Sequence, residues 1–496
     1  MRKLKLLFVL FPVLLLHPLA PAQAAKPSTK SQAGTPASGA PATSWQKVPI
    51  PPLRPFKPQE PRRVEFPNGM VVFLQEDHEL PVIDGTLRVR GGSRDEPADK
   101  AGMIDLYGEV WRTGGTTSKT GDELDDFLES HAARVEASGG PDSTFLSFSA
   151  LKENFDQVFP VVLDLLEHPE FRQDKLDLAK NQFASLISRR NDDVDEIAGR
   201  ESTKLAYGPD NPYSRTPEYY TVAAITRDDV MQWHRRTVAP NNMILGVAGD
   251  FDSAAMEQKL RQAFAAMPRG TAVPPPQIVF HGPKPGIYFI QKNDVNQSSI
   301  SMGDLGIKRD NPDYYAVEVM NQIFGGGFSS RLFANIRSKL GLAYNVGGGV
   351  GASFDHPGIT RIAMGTKSGS TAAAIEALRK EMADLIKGGV TDVEMKRAKD
   401  AILNSFIFDF DSREKVLAER MRYEFYGYPP DFLERYRAGI EKVTAADVDS
   451  AARKYLHPER MAVLVVGKAA DFDRDLATFG HVTNIDITIP EKKAAK

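Results

Sequence analysis

Two carboxylates four residues apart, Asp105 and Glu109, stand in the segment AGMIDLYGEVWRTGGTT (101–117). Residues at this spacing share one face of a helix, so both side chains can reach the same point beside it. Paired carboxylates without imidazole favour Mg²⁺ or Ca²⁺ over zinc as ligands. A solvated acidic pair on the helix surface is the simpler interpretation, and a rebuilt metal site is the alternative.

Other side chains that commonly bind metals or act as nucleophiles are few. The chain has no cysteine, which excludes disulfides, Cys-zinc sites and thiol catalysis. Its nine histidines form no H-x-x-H or H-x-x-x-H pair; they stand at positions 17, 78, 131, 168, 234, 281, 356, 457 and 481. We therefore expect each histidine to be a surface or capping residue rather than a ligand.

The elements that position this helix belong to a repeated unit. The segments VAAITRDDVMQWHRRTVAPNNMILGVAGDF (222–251) and IEKVTAADVDSAARKYLHPERMAVLVVGKA (440–469) align without a gap. The matched positions are Thr226 with Thr444, Asp229 with Asp447, Val230 with Val448, Pro240 with Pro458, Met243 with Met461 and Gly249 with Gly467. In each copy Thr caps a helix, Asp follows three residues later, and a buried strand comes next. The chain is therefore predicted to contain two copies of one domain.

Each copy is predicted to mix a sheet with long helices, so the fold class is α+β. Strands are expected at 70–75 and 82–90, and helices at 99–112, 171–207, 311–323 and 391–410. The predicted domain organisation is an N-terminal domain at 61–268, a Pro-rich linker at 269–285, a C-terminal domain at 286–480 and a tail at 481–496.

The N-terminus has the features of an exported protein. MRKLKLLFVLFPVLLLHPLAPAQAA has a basic start, an apolar run too short to span a bilayer and an Ala22-Gln23-Ala24 cleavage pattern. These features predict a signal peptide over 1–24 and a periplasmic or secreted protein; an uncleaved anchor is the alternative. Residues 25–60, rich in Pro, Ala, Ser and Thr, are expected to form a disordered tether.

Charge excludes one class of partner. The chain has 62 Lys and Arg against 65 Asp and Glu, a net charge of −3, and it has no dense basic run. Nucleic acid is therefore not an expected partner. After signal cleavage no transmembrane span is expected.

Two segments resemble a known family. FPNGMVVFLQEDHELPVIDGTLRVRGGSRDEPADKAG, which opens the globular part, resembles the pitrilysin/insulinase family of zinc peptidases, whose members carry an inverted H-x-x-E-H motif. NQIFGGGFSSRLFANIRSKLGLAYNV (321–346) resembles the C-terminal homologous domain of that family, in its two-domain, processing-peptidase-like subgroup. The resemblance implies two homologous domains arranged as a clam shell around a cleft that holds peptide.

The resemblance also implies that the zinc site has been lost. When Gly102 is aligned with the glycine that opens the family's helix, the first His, the catalytic Glu and the second His fall on Asp105, Gly108 and Glu109. Gly108 has no side chain that could take a proton from a zinc-bound water. We therefore expect a degenerate motif, with no catalytic residue and no metal in this chain.

A third zinc ligand, a Glu in the next long helix, is also missing by this alignment. Its position falls near Ser185 and Leu186, neither of which is a zinc ligand. Asp192 and Asp193 follow closely and are the carboxylates that could substitute for it.

The second domain, by contrast, matches the family's substrate-binding residues. The Arg and Tyr that hold and polarise the substrate backbone map onto Arg337 and Tyr344. A guanidinium and a phenol can both donate hydrogen bonds to a carbonyl oxygen that gains charge during attack. The simpler alternative is that Arg337 caps a helix and Tyr344 begins a buried strand. The nearby GGGFSSR (325–331) lacks the Gly-Lys-Ser/Thr of a phosphate-binding loop, and we expect it to let two helices approach closely.

A chain with this Arg and Tyr but without the zinc helix resembles one subunit of the heteromeric family members. The expected function is a non-catalytic, zinc-less subunit that supplies Arg337 and Tyr344 for degrading or processing unfolded peptides, with zinc in a homologous partner subunit. Two alternatives remain open. One is a peptidase-fold scaffold or peptide-binding protein without a catalytic role, and the other is an autonomous metallopeptidase with a substitute metal at Asp105 and Glu109.

Overall fold

Two six-stranded mixed sheets organise the part of the chain, residues 58–490, that the computed structural model describes. The first sheet contains β1 (Arg62–Glu65), β2 (Val71–Glu76), β3 (Val82–Arg90), β4 (Arg134–Gly139), β5 (Ser143–Leu151) and β6 (Met243–Gly249). The second contains β7 (Gly286–Gln291), β8 (Gln297–Leu305), β10 (Asn345–Gly349), β12 (Ile359–Lys367), β13 (Ala462–Gly467) and β14 (Val482–Asn484). Two short strands, β9 (Ile307–Lys308) and β11 (Ala352–Ser353), pair with each other.

Helices connect the strands in both halves. Those between β3 and β7 are α1 (Met103–Thr113), α2 (Gly121–Ser130), α3 (Phe155–Glu167), α4 (Gln173–Arg189), α5 (Val194–Tyr207), α6 (Tyr219–Ala224), α7 (Arg227–Thr237) and α8 (Ser253–Phe264). Those after β9 are α9 (Tyr314–Phe324), α10 (Thr371–Ile386), α11 (Asp392–Ser405), α12 (Arg413–Tyr426), α13 (Phe432–Lys442) and α14 (Ala445–Tyr455). A π-helical segment, Leu332–Lys339, follows α9.

The strand order confirms the predicted duplication. Five strands of the first sheet lie in the order β2-β6-β3-β5-β4, and their equivalents in the second lie in the order β7-β13-β8-β12-β10. The matched helices also begin alike, because the side chains of Thr226 and Thr444 accept hydrogen bonds from the backbone N–H groups of Asp229 and Asp447. The chain therefore contains two homologous α+β domains, each with its own buried core.

Two of the predicted long helices are shorter in the structure. The segment 171–207 forms two helices, because the Asp193 side chain accepts hydrogen bonds from the N–H groups of Asp195 and Glu196 and so starts α5 anew. The segment 391–410 is α-helical only to Ser405 and then continues as a 3₁₀ turn over Phe406–Asp409. Helix length was thus overestimated where a capping side chain or a tighter turn intervenes.

One helix from each half packs on the sheet of the other half. Helix α12 covers the first sheet, where Leu417, Met421 and Phe425 pack with Phe73 and Ile244. Helix α5 covers the second sheet through an apolar cluster made of Ile197, Ala198, Ile290, Leu464 and Val466. The two halves therefore share their hydrophobic surfaces reciprocally.

The C-terminal residues add a further link. Val482–Asn484, within the segment predicted as a tail, form β14 and pair in parallel with β7. Beyond them the carbonyl oxygen of Ile487 accepts a hydrogen bond of 2.7 Å from the Asn191 amide. These residues therefore tie the second sheet to the turn between α4 and α5. The boundaries proposed for the two domains stay predictions.

The predicted signal peptide (1–24) and nearly all of the predicted tether (25–60) lie outside the described residues. Within 58–490, no helix combines the length and the apolar character that a membrane crossing requires.

Candidate functional site

Helix α1 carries Asp105, Gly108 and Glu109, and a buried carboxylate fixes its start. Gly102 adopts a left-handed conformation with φ of 95°, which favours glycine. The Glu96 carboxylate accepts hydrogen bonds from the N–H groups of Gly102, at 2.9 Å, and Ile104, at 3.0 Å. Burial raises the pKa of Glu96 to about 7, although these two bonds act in the opposite direction.

The inner face of α1 packs on a buried histidine. The Tyr107 hydroxyl lies 2.9 Å from His234 Nδ1, and His234 Nε2 lies 2.9 Å from the Leu166 carbonyl oxygen. Because that carbonyl can only accept, Nε2 carries the proton and Nδ1 accepts from Tyr107. His234 is therefore a satisfied core residue, and the expectation that every histidine is a surface or capping residue was wrong here. Burial lowers its pKa to about 4.

Asp105 and Glu109 lie on the opposite, solvent-exposed face of α1. Although Asp105 is exposed, neighbouring protein atoms partly desolvate its carboxyl and raise its pKa above the ordinary value. Within the described residues, no group of three or more His, Cys, Asp or Glu side chains is placed to hold a metal ion. Asp105 and Glu109 therefore form an acidic pair on the surface of α1.

Gly108 faces a neighbouring strand instead of the exposed face. A Cβ on Gly108 would lie 2.7 Å from the carbonyl carbon of Ser138 and closer still to the backbone nitrogen of Gly139. Helix α1 therefore packs backbone to backbone against β4, and the position that corresponds to the catalytic Glu has no room for a side chain.

The residues near the expected third ligand do not complete a metal site either. Ser185 and Leu186 are exposed on α4, and the Ser185 hydroxyl donates to the carbonyl of Asn181. Asp192 pairs with Arg189 beyond the end of α4, and Asp193 caps α5. The residues present therefore do not fit the zinc centre that the family resemblance implies.

Arg337 and Tyr344 come together in the second half. The Arg337 Cζ atom lies 4.7 Å from the centroid of the Phe333 ring and 5.9 Å from that of Tyr344. Among residues 58–490 its guanidinium has no hydrogen-bond acceptor and no carboxylate partner. A half-buried cation that rests on aromatic rings is held in place, while its N–H groups stay available to a ligand.

The structure around Arg337 and Tyr344 differs from the simpler alternative, in which Arg337 caps a helix and Tyr344 begins a buried strand. Tyr344 is 77% exposed and precedes β10, which is an edge strand of the second sheet rather than a buried strand. Arg337 lies in the π-helical segment, a rare geometry that is frequent at functional sites. Phe328, which is 81% exposed, meets Phe333 edge to face at 4.9 Å.

The Gly-rich segment 325–331, which precedes Arg337, was expected to let two helices approach closely, and the structure shows a different contact. A Cβ on Gly325 would lie 2.8 Å from the backbone nitrogen of Gly348 and closer still to its carbonyl oxygen. The close approach is therefore between the end of α9 and strand β10, not between two helices. Sequence reasoning also missed Phe333 and Glu96, and only the position of Glu96, a few residues before an αL glycine, could have indicated a capping role.

Comparison with known families assigns the two halves of the chain separately. The family described as "Insulinase (Peptidase family M16)" matches residues 71–207, and the one described as "Peptidase M16 inactive domain" matches residues 224–402.

Two curated relatives cover most of the chain. It is 24% identical over 409 residues to "Uncharacterized zinc protease YmxG" of Bacillus subtilis, with 82% of this chain and 98% of the relative covered. It is 23% identical over 403 residues to "Non-peptidase homolog YmxG" of Helicobacter pylori, with 80% and 91% covered.

Solved structures show the same architecture. The peptidase M16 inactive domain from Pseudomonas fluorescens superposes with a TM-score of 0.75 and 25% identity, covering 83% of this chain and 98% of that one. The periplasmic protease PqqL from Escherichia coli superposes with a TM-score of 0.69 and 14% identity, covering 83% and 46%.

Proposed function

Because the chain belongs to the insulinase (M16) family of peptidases, we propose that it is a zinc-less, non-catalytic subunit of a heteromeric peptidase. In this proposal Arg337 and Tyr344 bind the backbone of an unfolded peptide, and a homologous partner subunit supplies the zinc. The predicted signal peptide favours the periplasm as the site of action.

One contrast between the two halves carries the proposal. In the first half an acidic surface pair and Gly108 stand at the motif positions, and Gly108 is packed against β4. In the second half Arg337 has no carboxylate partner within the described part of the chain, and Tyr344 is 77% exposed. Hydrogen-bond donors aimed at a carbonyl assist hydrolysis only when a nucleophile is also present. A partner subunit would bring that nucleophile.

Reconstitution tests the proposal. The full chain is combined with a candidate partner, an exported homologue from the same organism that contains H-x-x-E-H, and cleavage of an unstructured peptide is followed with each subunit alone and with both. We expect activity only from the pair. Arg337→Ala and Tyr344→Phe should each lower kcat of the pair about 10²–10³-fold, as loss of one oxyanion donor does.

Lys339→Ala is the matched control, because Lys339 is an exposed cation in the same π-helical segment. It should leave kcat and KM unchanged. Peptide cleavage by the isolated chain, or full activity of the pair with Arg337→Ala, would contradict the proposal.

A peptidase-fold scaffold is the second candidate, favoured by the resemblance to the Helicobacter pylori protein, which is named a non-peptidase homologue. The same reconstitution separates the two functions. A stable complex whose activity and assembly do not change with Arg337→Ala would indicate the scaffold.

A further inference from the structure

A groove of about 570 Å³ lies between α5 and the second sheet, next to the edge strand β10. Its lining includes Asp195 and Ser202 from α5, Ser301 from β8, Asn345 from β10 and Arg361 from β12. Neither Arg337 nor Tyr344 belongs to this lining.

Strand register shows that the floor of the groove is almost bare. Three rows of paired residues cross β8, β12 and β10: Ser299–Gly365–Asn345, Ser301–Ala363–Gly347 and Gly303–Arg361–Gly349. The middle row has no side chain larger than that of serine. The outer rows lie four residues apart along β8, which is about 13 Å in a strand.

The first sheet offers an internal comparison. Gly246 and Leu464 occupy equivalent positions in β6 and β13, and they pair with Thr86 and Ser301. The row of the first sheet that is equivalent to Ser301–Ala363–Gly347 is therefore Thr86–Ser147–Glu136. The first sheet thus has larger side chains where the second sheet is bare.

The packing between helix and sheet also differs at this position. A Cβ on Gly246 would collide with the Met421 sulfur, so glycine lets α12 approach its sheet closely. In the second sheet Leu464 occupies the equivalent position, and its buried side chain packs with Ile197 and Ala198 of α5. The corresponding groove beneath α12 measures about 220 Å³. The second half thus has the larger of the two grooves.

One buried polar group of the groove, the Ser301 hydroxyl, lacks a partner within the described part of the chain. Ser301 is 3% exposed, and its hydroxyl has no hydrogen-bond partner among residues 58–490. A buried, unpaired hydroxyl is costly, so it is a position where a ligand group gains a hydrogen bond.

Opposite charges stand at the two ends. The Asp195 carboxylate accepts a hydrogen bond of 2.8 Å from the Ser299 hydroxyl but forms no ion pair with the described residues. The Arg361 guanidinium donates to the Gly199 carbonyl and the Thr203 hydroxyl and likewise meets no carboxylate there. Both charges are therefore free to pair with a ligand.

We propose that this groove binds short peptides with free termini, with the ammonium group at Asp195 and the carboxylate at Arg361. Asp195 and Thr203, which marks the Arg361 end, are eight residues apart along α5, or about 12 Å. An extended tripeptide spans about 10 Å, which matches this separation. The Ser301 hydroxyl donates to a peptide carbonyl over the bare middle row. The inference goes beyond the proposed function, because it needs neither Arg337 nor a partner subunit.

Calorimetric titration of the full chain with trialanine tests the proposal. N-acetyl-trialanine and trialanine amide, which each lack one terminal charge, should bind about ten- to a hundredfold more weakly than trialanine. Asp195→Asn should weaken trialanine similarly but leave the affinity for N-acetyl-trialanine unchanged. Ala363→Phe, at an exposed position of the middle row, should abolish binding while the unfolding transition stays intact.

Glu196→Gln is the matched control, because Glu196 is an exposed carboxylate beside Asp195 that does not line the groove. It should bind trialanine as the unmodified chain does. Absence of trialanine binding, equal binding of the capped peptides, or binding that survives Ala363→Phe would overturn the inference.

Discussion

Gly108 and Gly139 face each other across the contact between α1 and β4 with no side chain between them. A Cβ on Gly108 would collide with the Gly139 backbone nitrogen, and a Cβ on Gly139 would lie 2.5 Å from the Ile104 carbonyl oxygen. Both obstacles are backbone atoms, which cannot move aside as a flexible side chain can. The contact therefore holds α1 against the edge of the first sheet, and it has consequences for stability and for metal binding.

Gly108→Ala should destabilise the fold. Alanine normally favours a helix by about 1 kcal/mol over glycine, but overpacking against a rigid backbone costs about 1–3 kcal/mol. We expect a net loss of about 1–2 kcal/mol in the free energy of unfolding, measured by urea denaturation. Gly199→Ala in α5 is the control, since its Cβ would meet no atom within 4 Å. A stabilised Gly108→Ala protein would contradict the packing described above.

Restoring the motif by Asp105→His, Gly108→Glu and Glu109→His together should not restore a zinc site. The side chain at position 108 would meet β4, and the exposed Ser185 and Leu186 provide no third ligand. We expect less than stoichiometric zinc by metal analysis after dialysis, and a lowered melting temperature. Asp105→His with Glu109→His but with Gly108 kept separates the two effects, since it should retain the melting temperature. Stoichiometric zinc in the triple variant would refute this expectation.

The pH dependence of stability should contain two opposing contributions. The pKa of Glu96 is about 7 in the fold against an ordinary 4.5, so its contribution is present below pH 4.5 and is lost as pH rises to 7. The pKa of His234 is about 4 against 6.5, so its contribution is present above pH 6.5 and is lost as pH falls to 4. Between pH 4.5 and 6.5 the two slopes cancel.

Glu96→Gln should therefore reveal the slope of His234. Its free energy of unfolding should fall by about 2 kcal/mol as pH is lowered from 6.5 to 4.5, whereas the unmodified chain should change little from these two groups. Urea denaturation at several pH values measures both. Glu109→Gln, on the exposed face of the same helix, should follow the unmodified chain. An unchanged pH profile for Glu96→Gln would show that Glu96 does not titrate in this range.

Phe425→Ala should destabilise both halves together. Phe425 is 5% exposed in the cluster under α12, and the Arg88 Cζ atom lies 3.6 Å from the centroid of its ring. Removing a buried ring costs about 3–5 kcal/mol. Tryptophan fluorescence and circular dichroism should shift to the same lower urea midpoint. Phe408→Ala, at a ring that is 67% exposed, should change the midpoint little. Two separate transitions in Phe425→Ala would contradict the shared core.

Local chemistry made part of this structure predictable. The Thr-x-x-Asp pairs at Thr226 and Thr444 fix helix starts through short-range hydrogen bonds, and the β-rich run 82–90 became β3. The exposed pair Asp105 and Glu109 followed from i, i+4 spacing on an amphipathic helix.

Long-range contacts were not predictable in the same way. An apolar stripe shows that a helix face is buried, but not which sheet covers it, so the packing of α5 and α12 across the halves left no signal. The burial of His234 depends on Tyr107 and Leu166, which lie far from it in the chain. The partner of Gly325 was misjudged for the same reason, since β10 reaches it through the fold alone.

Because α5 packs on the second sheet and α12 packs on the first, the chain cannot be cut at its midpoint into two halves that fold separately. A fragment that stops in the Pro-rich segment after α8 would keep α5, but it would lack the second sheet on which the apolar side of α5 packs. Its own sheet would lose the cover that Leu417, Met421 and Phe425 provide. Each fragment alone would expose apolar surface to water, yet each carries the helix that covers the sheet of the other. Co-expressed fragments should therefore associate into one soluble complex, and neither fragment should be soluble when it is expressed alone.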